Sequence, residues 1–106
     1  MITVTVLIGS DERVMHDRSE IDEAWINQQI NRRQADGRTI CVKVHIETHG
    51  VNVSLGTPKC PMGPVRREAN PQEREIIDLW DKCGLSREDF TGGNLVAFLK
   101  QLPCWR

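Results

Sequence analysis

The chain has 106 residues, 27% of them charged and 39% hydrophobic, with a formal net charge of -1. That length suits one domain, residues 1–106, able to bury roughly two-thirds of its unfolded surface, and the composition excludes a disordered chain. No apolar run approaches the ~20 residues that cross a bilayer, and Met1-Ile2-Thr3-Val4-Thr5-Val6-Leu7-Ile8 lacks the basic start of a signal peptide, so a soluble, cytoplasmic protein is expected.

Ile2, Val4, Val6 and Ile8 alternate with Thr3, Thr5 and Leu7, the period-two pattern of a strand, which Gly9-Ser10-Asp11 ends. Arg13-Val14-Met15-His16 reads either as a short edge strand or as a loop. Ser19 with Asp22 forms a variant capping box for a helix over about Glu20 to Ala35, whose Ile21, Trp25, Ile26 and Ile30 share one side and which Gly37 closes. From Arg38 to Leu55 the pattern returns to period two. Ile40, Val42, Val44 and Ile46 alternate with Cys41, Lys43, His45 and Glu47, and Val51, Val53 and Leu55 with Asn52 and Ser54, so two runs around His49-Gly50 make a hairpin with one oily face.

Residues 56–69 carry Pro58, Pro61 and Pro64 and form a long irregular connection, the best candidate for a mobile segment. Asn70 as N-cap, Pro71 at the first helical position and Glu73 completing the box open a second helix that Gly84 stops after Ile76, Ile77, Leu79, Trp80 and Cys83. Ser86 to Phe90 reads as a short helical turn. Thr91-Gly92-Gly93-Asn94 then introduces a third helix with Leu95, Val96, Phe98, Leu99 and Leu102 on its apolar stripe, ended by Pro103. The order β-α-β-β-α-α implies a two-layer α/β sandwich, a small, mostly antiparallel sheet of three to four strands with helices on one face. Trp25, Trp80 and Phe98 are expected to seal the layers, since large rings at helical spacing are usually core rather than ligand site.

Charge is uneven along the chain. Residues 1–31 sum to -4, residues 32–67 to +5 and residues 68–106 to -2. The basic third holds Arg32, Arg33, Arg38, Lys43, Lys59, Arg66 and Arg67, an anion- or nucleic-acid-binding set if the fold gathers them on one side. Stacking recognition of single strands is disfavoured, because no aromatic residue lies on a predicted strand.

Signatures of chemistry are sparse. Cys41, Cys60, Cys83 and Cys104 contain no C-x-x-C pair, and with no secretory signal they are expected as free thiols. Cys41 and His45 lie about 13 Å apart on an extended strand, too far to share one ion, so neither a metal nor a cofactor is expected. No G-x-S-x-G, H-E-x-x-H or P-loop pattern occurs, and Cys60 beside Lys59 is the remaining candidate nucleophile. Thr91 to Asn94 could offer amides to an anion, but a helix cap explains the same letters. The expectation is a non-enzymatic accessory or interaction domain whose partner is a protein, self or other, met at an edge strand or at the basic loop. Nucleic-acid or polyanion binding through the central third is the alternative.

Overall fold

In the computed structural model the described residues are 2–34, 41–58, 70–87, 89–103 and 105, less the side chains of residues 33 and 34. Four strands, β1 (Thr3–Ile8), β2 (Asp11–Met15), β3 (Val42–Thr48) and β4 (Val51–Gly56), form one antiparallel sheet in the order β2-β1-β3-β4. Three helices accompany it: α1 (Glu23–Gln34), α2 (Pro71–Lys82) and α3 (Gly92–Gln101). None of them is long and apolar enough to cross a membrane.

Alternation sets the layers. Val4, Val6, Ile8, Val42, Val44, Ile46, Val51, Val53 and Leu55 are all buried, so the oily face of the sheet lies inward as its period-two pattern requires. Ile26 and Ile30 of α1, Ile76 and Trp80 of α2, and Leu95, Val96, Phe98 and Leu99 of α3 complete the same core. Trp80 meets Phe98 edge-on, with ring centroids 5.1 Å apart. Trp25 packs against the same core from its margin. It is only partly buried, and the Arg13 guanidinium lies 4.9 Å from its ring centroid.

Arg13-Val14-Met15 belongs to a strand. Gly9, with φ of 63°, opens a two-residue turn of the II′ kind that pairs Ile8 with Asp11 and makes β2 the sheet's outer edge. The start of α1 also differs from expectation. Ser19 donates its hydroxyl to Asp17, within a turn of 3-10 helix at Arg18–Glu20, and Asp22 instead accepts the Trp25 amide at 3.0 Å. The same carboxylate pairs with Arg13 at 2.8 Å, a tie to β2 that no local pattern encodes.

The other caps follow the sequence. Asn70 and Glu73 exchange both capping-box hydrogen bonds at α2, and Thr91 and Asn94 do so at α3. The described part of Ser86 to Phe90 is turn rather than helix. Cys41 corrects the expectation of free thiols: it is disulfide-bonded, whereas Cys83 is free. Spacing along the chain carries no information about which cysteines meet in space.

Candidate functional site

All three helices contribute to the core under one face of the sheet, and among the described residues no helix covers the other face. That open face is written in cross-strand rows. Register places Leu7 beside Lys43 and Lys43 beside Gly56; the next row is Thr5, His45 and Ser54, and the third is Thr3, Glu47 and Asn52. The two-residue turn at His49-Gly50 fixes these rows, and Gly50 holds the left-handed φ of 84° that the turn requires.

Gly56 leaves a gap where the other rows carry a side chain. A hollow of about 140 Å³ opens there, lined by Leu7, Lys43, Val44, His45, Ser54, Leu55 and Gly56. Lys43 has no ion-pair partner among the described residues, whereas Arg13, Arg87 and Lys100 pair with Asp22, Asp89 and Glu23.

His45 links two rows of this face. Its Nδ1 lies 2.6 Å from the Ser54 hydroxyl oxygen, and its Nε2 is 3.8 Å from a Glu47 carboxylate oxygen. A hydroxyl, an imidazole and a carboxylate in line are the parts of a nucleophilic triad. Here the His45 and Glu47 side chains are 40% and 64% exposed, so water competes for every contact that would have to hold the imidazole in one orientation. The arrangement is a solvated hydrogen-bond network, and its chemical capacity is to donate and accept hydrogen bonds across the open face.

The main chain at the edge of β4 adds a second set of groups. The Thr57 amide donates to the Val42 carbonyl at 3.0 Å, so along β4 the alternate residues Asn52, Ser54 and Gly56 direct their N–H and C=O groups away from β3. The Asn52 amide confirms the direction by donating to Glu73 Oε2 at 2.7 Å. Beside it, the Asn70 side-chain amide donates to the Gly50 carbonyl at 2.6 Å. These contacts from Asn70 and α2 close the first half of the edge. Beyond them, no main-chain partner meets the outward groups of Ser54 and Gly56 among the described residues.

Of the seven basic residues singled out from the sequence, Lys43 stands on the open face and Arg32 is exposed on α1, a helix of the opposite layer. The fold does not bring these two together. The Arg33 side chain and all of Arg38, Lys59, Arg66 and Arg67 lie outside the described residues, as does Cys60. Strand alternation places Lys43, His45 and Ser54 together on the polar face of the sheet, whereas Gly56 and its pairing with Lys43 are not read from alternation alone. Counting outward from the His49-Gly50 turn would have found them, because a two-residue loop sets His45 opposite Ser54 and Lys43 opposite Gly56. Strands β1 to β4 carry no Phe, Tyr or Trp.

No protein-family model, curated protein or solved structure matches this chain.

Proposed function

We propose that this chain is a non-enzymatic interaction domain, that its partner is another protein, and that contact is made on the open side of the sheet. The observation that carries this reading is the asymmetry of the sheet. One face is covered by helices, while the other combines hydrogen-bonding side chains, a hollow beside a lysine with no ion-pair partner among the described residues, and the outward main-chain groups of Ser54 and Gly56. Such a surface offers a partner direct hydrogen bonds, which suits protein recognition at a polar rim and a free edge. The rival polyanion reading gains less, since Lys43 and Arg32 stand on opposite sides of the sheet.

Site-specific photocrosslinking in the source cells tests the proposal. A photoreactive side chain at Ser54 is expected to capture a protein, and the same group at the exposed Gln28 of α1 is not. Equal labelling from both positions, or none from Ser54, refutes the reading.

A further inference from the structure

We propose that the outward-facing edge of β4 takes up an extended peptide as a fifth strand, and that an acidic side chain of this peptide, standing opposite Gly56, reaches over the glycine to Lys43. This rests on the protein-interaction reading above and names the partner's chemistry.

Three observations converge on it. The first is the length of the vacancy. Glu73 takes the Asn52 amide and Asn70 takes the Gly50 carbonyl, so an added strand registers only on Ser54 and Gly56, where N–H and C=O point outward. The second is the hollow. A residue paired opposite Gly56 presents its side chain on the open face, and with no side chain on the glycine no other described residue of the row stands between it and β3. Two strand spacings bring the incoming backbone to about 10 Å from β3, a gap that a glutamate and a lysine leaning toward each other bridge. The third is charge. Lys43 borders the hollow with no ion-pair partner among the described residues, and an aspartate or glutamate is its complement.

The opposite edge of the sheet lacks this combination. Glu12 and Val14 of β2 also direct main-chain groups outward, but Asp11, Glu12 and Arg13 supply the charged side chains that discourage pairing at an edge, and the hollow lies at β4. A second copy added through β2 is therefore the less favoured occupant, and a sedimentation experiment separates it from the peptide.

The test is selection of a displayed library of random short peptides on the full chain, followed by NMR titration with the synthetic peptides that are enriched. The expected consensus has one fixed acidic residue among β-forming neighbours, with amide shifts at Ser54, Gly56 and Lys43. Lys43→Met keeps the aliphatic stem and is expected to weaken binding about fivefold, the upper range for an exposed ion pair. Gly56→Val is expected to abolish binding while the chain stays folded, because Gly56 has no left-handed φ and valine favours strands. Peptides that shift β4 yet show no acidic preference, or bind Lys43→Met as tightly, overturn the carboxylate assignment and leave the interaction domain standing. Absence of enrichment at β4 overturns strand addition, and the Ser54 crosslink then decides the broader reading independently.

Discussion

Glu73 is the residue on which α2 and the β4 edge both depend. It is 5% exposed, its Oε1 accepts the Asn70 amide at 3.0 Å, and its Oε2 accepts the Asn52 amide at 2.7 Å. Replacing it with alanine removes these charge-assisted hydrogen bonds, one from the capping box and one that joins helix to sheet. Each such bond is worth about 1.5–3 kcal/mol when its partner is left dry, and water reaches Asn52 and Asn70, so Glu73→Ala should cost about 3 kcal/mol in total. Glu73→Gln is the sharper variant. Its amide nitrogen must face one of the two N–H donors, so one bond survives and the expected loss is about 2 kcal/mol. Urea unfolding followed by tryptophan fluorescence reads both values, and with a slope of about 1–2 kcal/mol per molar the midpoint should fall by roughly 1–2 M for the glutamine variant. A change below about 0.5 kcal/mol in both variants would mean that the carboxylate does not join these elements.

Thr57 closes the far end of the hairpin, since its buried hydroxyl oxygen accepts the Val42 amide at 3.0 Å; Thr57→Val should cost about 1–3 kcal/mol in urea unfolding while Thr57→Ser retains most of the stability. The Asp22 carboxyl is held below its ordinary value of 3.8 by the Trp25 amide first and Arg13 second. A carboxylate with a lowered folded-state pKa stabilises above its unfolded value, and that contribution is lost as pH falls through the lowered one. Asp22→Asn should accordingly flatten the acid side of a stability–pH profile below about pH 4, and an unchanged slope there would contradict the pairing. A Cβ at Gly92 would stand 2.2 Å from Asn27 Oδ1 and 3.1 Å from the Asn27 Cα, so Gly92→Ala should push α3 off α1 and cost about 1–3 kcal/mol, read from the thermal midpoint.

The parts of this fold that sequence made legible are those governed by local rules. Alternating valines and isoleucines specify which face of β1, β3 and β4 is buried, and Asn70-Pro71 with Glu73 specifies the start of α2. What escaped depends on contacts between distant residues. The Arg13 side chain is at a core-side position of β2, opposite Val6, where an oily residue would have announced the strand; it instead lies over Trp25 and pairs with Asp22. The helix cap lies at Asp22 rather than Ser19, on the same carboxylate. The site was partly legible: Lys43 was singled out, but as one of a run of basic residues rather than as the neighbour of Gly56. Residues adjacent in a charge count need not share a side of the molecule, as Arg32 and Lys43 demonstrate. Cys41 makes the same point, because a disulfide is decided by the distance between two Cβ atoms and not by their spacing in the chain.

Strand addition depends most directly on the outward main-chain groups at the end of β4, and amide hydrogen exchange resolved residue by residue measures them. The amides of Val51, Val53, Leu55 and Thr57 should exchange slowly, Asn52 at an intermediate rate set by Glu73, and Ser54 and Gly56 near the rate of an unprotected chain. Protection of Ser54 and Gly56 equal to that of Val53 would show that the edge is already covered, and no strand could then be added there.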